Sequence, residues 1–360
     1  MAAYGGATAL TGQSYGDLSA NDAFTIQKRM LPIAKRLQTF AKFAQKETKP
    51  QKQGLEIRHR RYERFPITDS PIAEGVTPDF TSLEHTTLMH TLKQYGSYVN
   101  TTDVMLAASH DPVLKVVTER QAQQAGETLD YLAFKTFVAG SSVIRASSDG
   151  STRVAIDQNI GGVTTAKNVP GGTSPTTRLF QTAIRSLEQN DAKKMRNKLR
   201  ASVGIAIEPI RESYIGICHP DLSQDLRALP GWVNVEKYSD TSDAIEGEIG
   251  TVEGVRIITT TQAVPYKDAG DTVGVSGDHA VTTGGVNTDI YPLIILAQDF
   301  GGCATLGGMD SLRSKVVMPK PGPGDPLGQR GTVAWDTFYS CIILQDLWMY
   351  RIEAQCTKFA

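Results

Sequence analysis

The chain has 360 residues, 40% of them hydrophobic and 21% charged, with a formal net charge of −1. That apolar fraction can bury a core, so a wholly disordered chain is excluded, and the length suits two or three packed units. The longest strongly apolar stretch, residues 293–297, is far short of the roughly 20 residues that a bilayer-spanning helix needs. The near-zero charge excludes a uniformly basic nucleic-acid coat, and no secretory signal is visible at residues 1–6. Cys218, Cys303, Cys341 and Cys356 lack disulfide-scaffold density and metal spacing, so they read as free, mostly buried thiols.

The charge is unevenly spread. Residues 24–64 carry twelve Lys or Arg against three Glu, a local +9 that leaves −10 for the remainder. Within this segment Phe24, Ile26, Met30, Ile33, Leu37, Phe40 and Phe43 recur at roughly three- and four-residue steps, which predicts a basic amphipathic helix interrupted at Pro32. A small-residue leader precedes it and reads as an extended arm.

Residues 55–62 read as a polar strand, and 86–92 and 95–99 as returning strand rich in Thr, Tyr and Val. Pro66, Pro71, Gly75 and Pro78 enforce an irregular tip between them. The whole of 54–103 thus predicts a long hairpin without a core of its own, and a two-stranded ribbon alone is marginal in water. A helix follows, with Asp111 as N-cap, Pro112 as first helical residue and Gly140 as stop. Leu114, Val117, Ala122, Ala125, Leu129 and Leu132 mark its expected core face. About 28 residues at about 1.5 Å each give a spine of about 40 Å.

Residues 141–172 predict a small inserted hairpin, and Pro175 opens a second helix through Leu187 that ends near the basic run 193–200. Residues 202–292 alternate short β-branched runs (214–218, 255–261) with a helix at 222–229, a separate α/β unit whose central buried strand is 293–297. Residues 319–328, with four prolines and three glycines, form a rigid connector. Two strands, 333–344 and 347–356, follow, joined at Gln345 and Asp346.

Little in the chain points to chemistry. None of the six histidines forms a His-x-x-x-His or His-x-Glu pattern. The adjacent Cys218 and His219 would face opposite ways in a strand, so an active site there, with Asp221, is a minor rival. Asp299-Phe300-Gly301 imitates a kinase magnesium-binding triplet, but the accompanying kinase motifs are absent and a strand-end turn is the plain reading. Gly322, Gly324 and Gly328 stand among prolines, which lack the N–H donors of a phosphate loop. Residues 250–254 read as a turn. The basic segment 24–64 admits self-association, phosphate contact or a solvated face, with nucleic-acid binding as the alternative function.

The order of elements resembles the Hong-Kong-97-type major capsid fold of tailed phages. Five runs are similar to the coliphage N-four-type major capsid protein family: Ile57-Arg58-His59-Arg60-Arg61-Tyr62-Glu63-Arg64, Glu74-Gly75-Val76-Thr77-Pro78, Leu92-Lys93-Gln94-Tyr95-Gly96, Asp111-Pro112-Val113-Leu114, and Asp325-Pro326-Leu327-Gly328-Gln329-Arg330-Gly331-Thr332-Val333-Ala334-Trp335. The resemblance implies an α+β fold: an N-terminal arm (1–53), an extended loop (54–107), a peripheral domain with the spine helix and the inserted hairpin (108–201), an axial domain (202–299), and a connector with returning peripheral strands (300–360). It implies a subunit that self-assembles as hexamers and pentamers into an icosahedral head around double-stranded DNA contacted non-specifically, with portal, scaffold and cement proteins as further partners. It also implies a virion protein assembled in the host bacterial cytoplasm, with no enzymatic activity, cofactor or membrane partner. Arg58, Arg60, Arg61, Tyr62, Arg64, Glu74, Tyr95 and Tyr98 are the expected contacts between copies.

Overall fold

The computed structural model describes residues 38–69, 71, 74, 75, 77, 80–104, 113–145, 177–195, 212–237, 245–270, 281–307, 312–321 and 325–356. The leader and most of the amphipathic pattern before residue 38, the Asp111-Pro112 cap, the rest of the inserted hairpin from 146, Pro175 and the basic residues 196–200 lie outside these.

In chain order the elements are α1 (Phe40–Phe43), β1 (Gln45–Lys49), β2 (Glu56–Tyr62), β3 (His85–Thr91), β4 (Lys93–Thr102), the spine α2 (Val113–Val138), β5 (Val143–Arg145) and α3 (Arg178–Gln189). The second half adds β6 (Tyr214–Cys218), α4 (Ser223–Arg227), β7 (Val233–Asn234), β8 (Glu248–Val252), β9 (Val255–Thr259), β10 (Ile290–Leu296), β11 (Gly301–Leu306), β12 (Arg313–Val317), β13 (Arg330–Ile343) and β14 (Met349–Gln355).

The strands form three sheets. The largest has the order β5-β14-β10-β6-β9-β8-β7, with β10 flanked on both sides. Every residue of β10 is buried. Because side chains alternate across a strand, Tyr291, Leu293 and Ile295 enter one core with Leu179, Phe180 and Leu187 of α3 and Leu226 of α4. Ile294 and Leu296 enter the other, with Phe40 of α1 and Leu129, Phe134 and Phe137 of the spine. A continuous apolar run is what a strand covered on both faces requires.

The second sheet is organised by the 14-residue β13. β4 runs antiparallel along one edge over ten paired residues, β12 and β11 share the other, and β1 pairs parallel with β11. The spine lies across it. Gln121 Nε2 donates to the Val333 carbonyl at 2.6 Å, and Ala122 and Ala125 let the helix approach Trp335. The 26 residues of α2 span about 39 Å. The third sheet is β2 with β3 alone, the root of the extended loop.

Several expectations change. Residues 45–49, in the expected arm and beyond the amphipathic pattern that ends at Phe43, form strand β1, because the backbone finds an open edge on β11. The returning strand at 95–99 belongs to the five-stranded sheet as β4, so the ribbon is shorter than expected. The two last strands do not return together. β13 lies in the five-stranded sheet and β14 between β5 and β10 in the seven-stranded one, with the turn at Asp346–Trp348 carrying the chain across. Helix α3 ends at Gln189, short of the basic run, and its apolar face covers the seven-stranded sheet rather than the spine's side. The turn expected at 250–254 is confined to Glu253 and Gly254, both at positive φ, while Gly250 sits within β8 where a Cβ would meet the Trp232 ring at 2.5 Å.

Candidate assembly interface

Strands β2 and β3 pair antiparallel from Glu56 opposite Thr91 to Tyr62 opposite His85. No residue of either strand is buried, and exposure alternates along β2, so only one face of the ribbon leans on anything. What it leans on is the root of its own body. His59 Nδ1 lies 3.2 Å from Glu47 Oε1 on β1, and His90 Nδ1 lies 3.0 Å from Ser340 Oγ on β13. Arg61 donates to the Leu344 carbonyl at 3.4 Å and to the Gln345 side chain, and Arg64 pairs with Asp191 beyond α3.

Past Glu63 the described tip residues form no helix or strand. Here Phe65 is 55% exposed, Ile67 89%, Phe80 93% and Leu83 54%. Tyr62 on β2, Met89 on β3 and Tyr98 on β4 are exposed as well. Single exposed apolar residues are ordinary, but four of them on one loop that has no core of its own mark a candidate interaction surface.

The expected contact residues fall into two groups. Arg58, Arg60, Tyr62, Arg64, Glu74 and Tyr98 are exposed. Arg61 and Tyr95 are half-buried, Arg61 by its bonds to the β13 end and Tyr95 by packing beside the spine. Arg58 and Arg61 also pair along their own strand, with Glu56 at 3.4 Å and Glu63 at 3.1 Å. The Arg61 and Thr86 bonds hold the Glu63 carboxyl below the ordinary range. Of the expected spine core, Ala125 and Leu129 are buried, whereas Leu114, Val117 and Leu132 are only half-buried. The buried stripe is set further along, through Thr118, Gln121, Ala122, Gly126, Asp130, Ala133, Phe134 and Phe137, where the helix packs first on β13 and then on α1 and β10.

The sequence reading passed over Asp130, though a carboxylate inside a helix's apolar stripe is itself a signal. Its Oδ1 accepts from the backbone N–H groups of Thr39, Phe40 and Ala41 at 2.9, 2.7 and 3.4 Å, tying the start of α1 to the spine. Burial pushes this carboxyl up to about 6, against the downward pull of the three amides. The exposed apolar residues of the tip were also passed over, since they stand singly among prolines and show no period.

The rival chemistry finds no machinery. Burial pushes the Cys218 thiol up to about 12, far from a nucleophile's range. His219 Nδ1 accepts from the Asp221 backbone N–H at 3.3 Å, capping the short helical turn Pro220–Leu222, and the Tyr291 hydroxyl donates to Asp221 Oδ2 at 2.9 Å. Asp299 is a left-handed turn residue and Phe300 packs edge-on against Phe137 with ring centres 4.9 Å apart, so the kinase-like triplet is a turn into β11. No helix among the described residues is long and apolar enough to cross a membrane.

The two sheets, the crossing spine and the projecting ribbon define a Hong-Kong-97-type capsid fold. It is shared with the capsid of Ralstonia phage GP4 (TM-score 0.58, 13% identity, 87% of each chain), the capsid of cyanophage P-SCSP1u (0.53, 14%, 87% of this chain and 86% of that one) and the head of Helicobacter pylori bacteriophage KHP40 (0.53, 10%, 86% and 87%). Residues 85–343 match the phage capsid protein family, and the chain belongs to it. A stretch of 152 residues is 24% identical to the major capsid protein of Pseudomonas phage KPP21, covering 38% of this chain and 37% of that relative. The protein is therefore a phage capsid protein. Nothing supports the nucleic-acid-binding alternative for segment 24–64, in which Arg58, Arg61 and Arg64 are engaged by carboxylates of the same chain.

Proposed function

We propose that this capsid protein is the major subunit of an icosahedral head, assembling as hexamers and pentamers around double-stranded DNA, and that its extended loop drapes over a neighbouring copy. The observation that carries this is the exposed apolar set Tyr62, Phe65, Ile67, Phe80 and Leu83 on an element with no second layer of its own. A contact of about 800 Å² per partner, a little over half apolar, gives a gross gain on the order of 10 kcal/mol before ordering costs. Repeated around a shell, even a small surplus per contact closes it.

In this reading residues 1–53 form the arm and 54–107 the extended loop, with β4 as its inner, sheet-bound border. The spine and the β13 sheet form the peripheral domain. The axial domain is the seven-stranded sheet, which recruits β5, α3 and β14 from outside 202–299. The near-neutral net charge suits a container whose wall meets packaged duplex without sequence-specific contact, since a strongly cationic lining would retain it through counterion release. Assembly takes place in the host bacterial cytoplasm, with portal, scaffold and cement proteins meeting the same subunit. The five motif runs favour the coliphage N-four-type branch.

Expression of the full chain beside a variant lacking residues 66–80 tests the central claim. The full chain should give capsomers or closed shells in electron micrographs, and the variant a folded body with unchanged cooperative melting but no closed shells. Normal shells from the variant, or a compact full-length monomer at high concentration, would overturn it.

A further inference from the structure

Strands β2 and β3 place Ile57 opposite His90 and His59 opposite Leu88, so His59 and His90 are diagonal neighbours on the body-facing side of the ribbon. Their rings stack with centres 5.2 Å apart, and the two Nε2 atoms face each other at 3.2 Å. The far nitrogen of each ring is already engaged. A carboxylate only accepts, so Glu47 makes His59 Nδ1 the protonated nitrogen and turns the Nε2 lone pair toward His90. Ser340 Oγ, 3.0 Å from His90 Nδ1, can accept in the same way. Both Nε2 lone pairs then converge on one point.

Two imidazole nitrogens bound about 2.0–2.1 Å from one ion stand about 2.9–3.4 Å apart, depending on tetrahedral or octahedral angles. The observed 3.2 Å falls inside that span without any movement. A carboxylate or hydroxyl behind each ring is the outer arrangement that orients ligating histidines and raises their basicity. We propose that His59 and His90 form a two-imidazole site for a late first-row divalent cation of the Zn2+ type, clamping the β2–β3 ribbon to the body at β1 and β13. Imidazole favours such ions over Mg2+ or Ca2+, which prefer oxygen.

Among the described residues no cluster of three or more His, Cys, Asp or Glu side chains could hold a metal, so the remaining coordination positions fall to water. The groove bounded by Gln45, Glu47, Arg61 and Gln345 opens onto His59 and would admit that water. The Lys49 ammonium nearby opposes a cation and keeps the affinity modest. The ion would take the place that a single shared proton fills when Ser340 donates to His90 instead. In the metal-free protein this proton holds the rings together; with metal, the same contact becomes coordinate. Strands β2 and β3 would thus share one ion, backed by Glu47 of β1 and Ser340 of β13 in the neighbouring sheet, at the root of the ribbon.

The test titrates the full-length protein with Zn2+ alone at neutral pH by calorimetry and follows hydrogen exchange at Glu56–Tyr62 and His85–Thr91. One saturable equivalent per chain and slower exchange in both strands are expected, with no effect of Mg2+. His59→Gln and His90→Gln should each lower affinity at least tenfold. Glu47→Gln, which keeps both ligands and the fold, should lower it about tenfold through the lost outer bond. No saturable uptake, or uptake unchanged in His90→Gln or Glu47→Gln, would overturn the site.

Discussion

Strands β10 and β2 are both seven residues long, yet every residue of β10 is buried and none of β2 is. β10 draws its stability from side chains of its own chain on both faces. β2 has one neighbour strand, a few polar ties at its root and open solvent beyond. The seven-stranded sheet is a finished object, whereas the ribbon is half of one. Mutations in the two regions should therefore separate subunit stability from assembly.

The largest effect is expected in the core that the spine shares with α1 and β10. Leu129→Asp places an unpaired charge among Phe40, Phe134 and Ile294 and should cost more than about 4 kcal/mol, read as loss of cooperative unfolding. Next is Asp130, whose folded carboxyl titrates at about 6 against an ordinary 3.8. The folded protein holds that proton more tightly than the unfolded chain does, so this group's contribution to stability is full below about pH 4 and is lost as pH rises to about 6. The gap corresponds to about 3 kcal/mol, which Asp130→Asn should abolish in urea midpoints measured across that window.

Gly250→Ala, pressed against the Trp232 ring, should lose about 1–3 kcal/mol in thermal melting. On the other side of the comparison, Ile67→Ser with Phe80→Ser should change subunit stability by less than about 0.5 kcal/mol while sharply reducing shell yield by sedimentation. A Phe80 change that unfolded the body would erase the distinction between the two regions. Smallest of all, the native protein should leave Cys218 unmodified by alkylating reagents at pH 8, reacting only after denaturation.

The sequence showed best what is local. The apolar run at 293–297 announced a doubly covered strand, and the apolar stripe with Gly140 announced the spine. It showed least what depends on partners distant in the chain. β1 is polar and basic, Gln45 to Lys49, and becomes a strand because Gly302 to Leu306 offers it an edge some 250 residues later. β4 and β14 look like the returning arms of hairpins, but register with β13 and β10 redirects them. The same holds at the ribbon root. His59 and His90 are 31 residues apart with no spacing that signals a pair, and only the β2–β3 register brings their rings together.

The position of β14 has a consequence for how the subunit is made. It fills the slot between β5 and β10, and Ile352 and Ala354 complete the core that α3 covers. While the ribosome is still translating anything before residue 355, the edge of β10 is bare and that side of the sheet is open to water. Folding of this half must wait until nearly all of the described chain has been synthesised. A polypeptide truncated by a few dozen residues would leave the edge of β10 unpaired and that core uncovered on one side.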